Sequence, residues 1–424
     1  MRTYLLTGVL LCILALGFRA PIVFALGYVW AEILTPQNLA YSVINELPIS
    51  MMLAVLSAAF VPFAMVRTGL RWNFLLTLLL IYGVWMTATL AWAILPKEAW
   101  IRWDPAFKSV VFTFILTQYL SDRKKIEALV WTILLSGLAH TLAVGVKTIA
   151  GGTGYGHDVG LAGSNTGYGE GSTLSMFAIY LIPLALFLLR HQQIIPSDKL
   201  KRALLYGSIT VSLLTSIGTH TRTGLVAITA FLLMMLLTKG KRLQNLALMV
   251  LAAGAIYIFA NDAWFSRMTT IGDSTESSAM GRVAVWYWTI EFVKTHPFGG
   301  SFGAYLASEH EIALGTAEIL NVTGKAFHSI YFEVLGTLGY PGMILFLFLI
   351  LLTFMKLQAI SRKTADDPEL QWVVDLSRNL RISLFVYLLG GAFIGVAFQS
   401  FLYYLIAFVV ALEVLVRKEK QCPR

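Results

Sequence analysis

KAFHSIYFEVLGTLGYPGMILFLFLILLTFM, residues 325–355, carries an apolar run from Ser329 to Met355 that holds a single charge, Glu333. A helix needs roughly 20 apolar residues to cross about 30 Å of hydrocarbon, and a lipid-embedded segment must satisfy its own backbone hydrogen bonds. The run therefore predicts a membrane-spanning helix. His328 stands at its mouth, and two glycines three apart, Gly339 and Gly342, lie within it.

Working outward, similar blocks recur along the 424 residues, which are 57% hydrophobic and 13% charged. Spans are predicted at about 49–66, 73–94, 106–120, 127–146, 172–190, 203–218, 223–238, 243–260, 329–355, 382–397 and 401–416. The first 34 residues read as one crossing with an interfacial piece, or as two short crossings; twelve crossings is the preferred total. No small-residue cleavage site follows residues 1–18, which read as a retained span. The expectation is an all-α integral membrane protein with a single polytopic domain over residues 1–424. Alternation of the β-barrel kind is absent. Cys12 and Cys422 sit in a first span and a basic tail and suggest no disulfide framework.

The formal charge of +9 does not point to nucleic acid, because the basic residues fall in short clusters between spans. Arg67 and Arg71, Arg123 to Lys125, the Arg190–Arg202 and Lys356–Arg381 connectors, Lys239 to Arg242, the Arg417–Arg424 tail and Arg2 all fall on one side of the alternating path. By the positive-inside rule that side is cytoplasmic. The opposite side, facing the periplasm or the cell exterior, then receives residues 95–105, the glycine-rich segment 147–171 and a long loop, 261–328. A structureless loop of that length is unusual, so short helices are expected within it. GRVAVWYWTIEFVKTHPFGG, residues 281–300, reads as one such helix, ended by His-Pro and paired glycines and suited to the membrane interface.

Three features converge on this outer face. Arg222 begins the span at 223–238, Arg282 follows Gly281 at the start of the loop helix, and His328 begins the span at 329–355. Helix N-termini favour anions, and two arginine forks there suit a phosphate or pyrophosphate without a metal. The same positive field disfavours imidazolium, so His328 is expected to be neutral near pH 7 and able to take a proton from a hydroxyl. Lys108, just inside another span, is a third candidate cation; it reads equally as a snorkelling lysine, and an arginine at a span end, such as Arg222 taken alone, is more often an interfacial anchor than a ligand-binder. His157-Asp158 has no further ligand at useful spacing, and no Asp-x-Asp pair stands on this face, so no metal or cofactor is expected.

HSIYFEVLGTLGYPG resembles the histidine motif of the O-antigen ligase and polymerase superfamily through His328, Ser329, Gly339 and Gly342, with Met343 departing from the usual final residue. RTGLVA at Arg222 and GRVAVWYWTIEFVKTHPFGGSFGAY are similar to that family's middle-span arginine and periplasmic-loop series. YVWAEILTPQNLAYS, near the N-terminus, is similar to O-glycosylation ligases associated with exosortase systems. The resemblance implies a GT-C-type glycosyltransferase of a bacterial inner membrane, active at the periplasmic surface. It implies transfer of a preassembled glycan from undecaprenyl pyrophosphate to a hydroxyl of lipid A-core, with His328 as base and Arg222, Arg282 and Lys108 on the pyrophosphate. A polysaccharide polymerase or a protein O-glycosylation ligase would share these residues. A lipid-linked glycan transporter is the alternative of another class, but no pairing of inverted halves is seen.

Overall fold

The computed structural model describes residues 2–40, 43–154, 168–237, 242–269, 277–314 and 318–421. Much of the glycine-rich segment, His157-Asp158 included, lies outside these residues, as does Cys422. In chain order the helices are α1 (Arg2–Arg19), α2 (Ile22–Leu34), α3 (Pro36–Leu39), α4 (Val43–Glu46), α5 (Ile49–Thr68), α6 (Phe74–Ala88), α7 (Pro96–Tyr119), α8 (Arg123–Ile149), α9 (Gly171–His191), α10 (Asp198–Gly218), α11 (Arg222–Leu236), α12 (Arg242–Phe259), α13 (Asp262–Thr269) and α14 (Ser277–Thr295). A hairpin of β1 (Glu309–Leu314) and β2 (Glu318–Thr323) follows, then α15 (Ile330–Lys363), α16 (Gln371–Gly391) and α17 (Ser400–Gln421).

Among the described residues six helices are long and apolar enough to cross a membrane, α5, α6, α8, α9, α15 and α17, and a seventh span arises if α12 and α13, bent by 109°, are one broken crossing. The protein is thus a multi-pass helical membrane protein. The twelve crossings expected from the sequence would need shorter or more polar helices to be added to these. α9 forms the centre: its residues from Ser172 to Leu188 are buried, as an all-round apolar helix must be. It packs against α8, α10, α11 and α16, whereas α15 packs against α6, α14, α16 and α17. α5 lies at the edge with Phe63 and Val66 exposed, as befits a lipid-facing surface.

Three sequence boundaries are corrected. The span placed at 382–397 is α16, which begins at Gln371 and ends at Gly391. Arg378 and Arg381 were read as connector, but the helix carries them, Arg378 pairing with Asp375 one turn back at 3.2 Å. α15 likewise carries Lys356, whose ammonium meets Glu413 of α17 at 2.7 Å, so the expected connector of 356–381 shrinks to 364–370. The span placed at 106–120 begins at Pro96, because Pro105 lies inside α7 and does not start it. Finally, residues 261–328 hold more than short helices. α14 has 19 residues, and β1 and β2 pair antiparallel from Glu309↔Thr323 to Leu314↔Glu318, which adds a strand pair to the helices found among the described residues. Gly324 N donates to Ser308 O at 3.0 Å, so the hairpin leaves and returns at one point.

α15 is a broken helix. Gly339 has φ 66° and ψ −166°, a region open essentially only to glycine. A side chain there would also overlap the backbone of Pro297 and Phe298. The break strips helical partners from two carbonyls. Tyr340 N, which would serve Gly336, donates instead to Pro297 O at 2.9 Å, and Pro341, which would serve Thr337, has no N–H. The turn after α14 replaces both: Gly300 N donates to Gly336 O at 3.0 Å and Ser301 N to Thr337 O at 2.9 Å. Trp85 Nε1 of α6 donates to Leu338 O at 2.9 Å. The His-Pro and paired glycines at 296–300 therefore do more than stop a helix: they dock into the gap at Gly339.

Candidate functional site

His328 is delivered by the half-helix above that break. Ser329 is the extended N-cap of α15, and His328 before it takes a left-handed backbone, φ 48°. For a residue with a Cβ this costs about 1 kcal/mol or more, so packing must impose it. Phe327 supplies that packing. Its buried ring lies against Gly336, where any side chain would collide, and its carbonyl accepts from Trp286 Nε1 of α14 at 2.7 Å. Trp286 in turn stacks on Phe332 of α15 at 5.2 Å, nearly parallel. The three aromatics clamp α14, the approach to His328 and the first turn of α15 together.

The imidazole opens on a cavity of about 400 Å³. Its ionisable lining includes His328, Arg102, Glu170 and Glu333, with Phe302 and Tyr305 on the wall formed ahead of the hairpin. Glu333, one turn into α15, is held in place by Ala397 N, which donates to its Oε2 at 2.9 Å. Arg102 projects from α7, with its guanidinium 5.4 Å from the centre of the Tyr305 ring and Glu98 at 3.7 Å. Among the described residues no group hydrogen-bonds to the His328 ring, so both ring nitrogens are left for whatever enters the cavity.

The ring is held neutral. Its pKa is pushed down from 6.5 to about 4, by burial first and then by the positive charges of Arg282 and Lys325. The sequence indicates the direction and Arg282, but places the cause in charge and helix field, whereas burial is the larger effect. Lys325 belongs with Arg282: its ammonium lies beside Gly281, the residue before Arg282, and both lie within the second turn of α14, because the helix begins at Ser277 and not at Gly281-Arg282 as the sequence predicts.

Arg222, the first residue of α11, is half-buried, and its Nε donates to Arg267 O of α13 at 3.5 Å. Thr221 caps α11 by accepting from Gly224 N at 3.3 Å and also meets Ser175 Oγ of α9 at 2.9 Å. Gly171, the first residue of α9, lies against Thr219 and Thr221, and Glu170 just before it lines the His328 cavity. The starts of α9 and α11 thus stand together at the cavity's end of the bundle. Arg222 and Arg282 border this region but are not among the described residues that line the cavity. Lys108 is not either: it is bound to Asp104, one turn back, at 2.5 Å.

Sequence reasoning missed Arg102, Glu170 and Lys325. The signal was present for Arg102, which lies in a tryptophan-rich stretch, WIRWDP, typical of a membrane interface. Starting the span at 106 leaves that stretch in a loop and hides that Arg102 belongs to α7.

Residues 1–193 match a family described as of unknown function, and residues 207–347 match the O-antigen ligase family. The second match contains Arg222, Arg282 and His328; Lys108 and Arg102 fall in the first. No curated protein matches the chain.

Proposed function

We propose that this chain, whose residues 207–347 match the O-antigen ligase family, is a membrane glycosyltransferase that moves a preassembled glycan from undecaprenyl pyrophosphate to a hydroxyl of lipid A-core. The observation that carries this reading is the neutral, hydrogen-bond-free imidazole of His328, facing a cavity and flanked by Arg282 and Lys325. In this reading the acceptor oxygen attacks the anomeric carbon as His328 takes its proton. The bond from that carbon to the pyrophosphate oxygen breaks on the opposite face, so configuration inverts. Arg282 and Arg222 meet the charge that gathers on the departing pyrophosphate, with Lys108 a more distant third cation, and this electrostatic task is the larger part of the barrier. The cavity faces the periplasm of a bacterial inner membrane in a GT-C-type architecture, consistent with the basic clusters at the other helix ends.

The test is transfer by purified protein with a lipid-pyrophosphate donor and candidate acceptors supplied separately, in the presence of a chelator. Product is expected only when donor and lipid A-core are both present. Product with a second donor molecule as sole acceptor would convert the reading to a polymerase.

The pH dependence has a defined sign. A base must be unprotonated, and the free enzyme's imidazole stays so down to about 4. The kcat/KM profile should therefore be flat from about pH 8 to pH 5.5 and fall only below that. A bound pyrophosphate offsets the repulsion by Arg282 and Lys325 and raises the pKa in the complex, so the acid limb of kcat lies higher. Arg282→Gln should move the kcat/KM limb upward, towards 6.5. An unmoved or lowered limb refutes the coupling.

Arg222→Lys is expected to weaken donor use by roughly tenfold, because an ammonium cannot reproduce two parallel hydrogen bonds to phosphate. Wild-type kinetics in that variant would make Arg222 an anchor to α13 and nothing more.

A further inference from the structure

α9 begins beside the His328 cavity and ends, 21 residues and roughly 31 Å later, at a second concavity of about 560 Å³ between α9, α10 and α12. Its two ends differ in chemistry. The aliphatic lining of the concavity includes the buried Leu186 and Leu248 and the exposed Leu251, and Arg190, Lys201 and Arg202 form its mouth, by the end of α9 and the start of α10. Asp198 is the one carboxylate among its described lining and holds Lys201 at 2.7 Å. Arg190 leans at 3.4 Å on Asp375, which also serves His191 and Arg378. Cations therefore outnumber carboxylates at the mouth.

A soluble anion has no use for the aliphatic length of this groove, and a zwitterionic lipid would bring its own ammonium against the arginines. We propose that the groove binds one anionic phospholipid, with its phosphate on Lys201 and Arg202 and an acyl chain along Leu248 and Leu251. Basic pockets between membrane helices at a bundle end recognise acidic headgroups in this way. The site lies at the opposite end of α9 from His328 and is independent of the transferase reading, since it contains no residue assigned to that chemistry.

Delipidated full-length protein in detergent tests it, with dioleoylphosphatidylglycerol, dioleoylphosphatidylcholine and glycerol 1-phosphate as probes. Adducts are counted by native mass spectrometry and stabilisation by thermal unfolding. The anionic lipid should be retained over the zwitterionic one, and the Lys201→Gln/Arg202→Gln variant should lose that preference by roughly fivefold per cation removed. Ala247→Trp, which fills the groove and leaves every charge, should lose the bound lipid as well. Equal retention of the two lipids, or an unchanged preference in both variants, overturns the proposal. So does stabilisation by glycerol 1-phosphate equal to that by the whole lipid, which would make this a free-anion site.

Discussion

Replacing His328 with alanine should reduce glycan transfer by about 10² to 10⁴-fold, the range a positioned general base contributes, while leaving the protein folded. The fold should survive because the ring makes no hydrogen bond among the described residues and packing rests on Phe327 behind it. Alanine at φ 48° meets the same Cβ clash that histidine already bears. His328→Asn is a useful companion, since asparagine tolerates the left-handed region and keeps polarity but is no base. Both variants should elute and melt as the parent does. Full transfer by either would move the proton acceptor elsewhere, and Glu333, in the same cavity, would be examined next.

The second large effect is expected on the fold itself. Gly339→Ala should cost roughly 3 to 5 kcal/mol, combining a backbone region nearly closed to other residues with overlap against Pro297 and Phe298. Many proteins have only about 5 to 15 kcal/mol in total, so folded yield in the membrane should collapse. Gly254→Ala is the control: a side chain there meets nothing within 4 Å, and α12 should tolerate it. A Gly339→Ala protein with the parent's melting temperature would mean that the helix break is dispensable.

These two residues also show what sequence could and could not reveal. The apolar run after His328 declares a helix by length alone, and α14 is legible from Gly281 onward, although the helix begins four residues earlier, at Ser277. The role of Gly339 is not, because a glycine inside an apolar run reads as tolerated; only its contact with Pro297 and Phe298, some forty positions away, makes it obligatory. Helix ends bearing charge were misplaced for a related reason. Arg378 looks like connector until Asp375 stands beside it, and Lys356 until Glu413 does. His328 is legible because it stands just before the start of α15, whereas Arg282 is legible only through its Gly-Arg pair, since it is the sixth residue of α14 and not its start. Arg102 is not, since α7 continues through Pro105 and brings it into the cavity from a distant part of the chain.

The turn at 297–301 has a mechanical consequence. Pulling it away from α15 would leave the carbonyls of Gly336 and Thr337 bare in a low-dielectric layer, at about 1 to 3 kcal/mol apiece. A swing of the half-helix above Gly339 would have to break both hydrogen bonds, so the turn braces the footing of His328 despite the glycine.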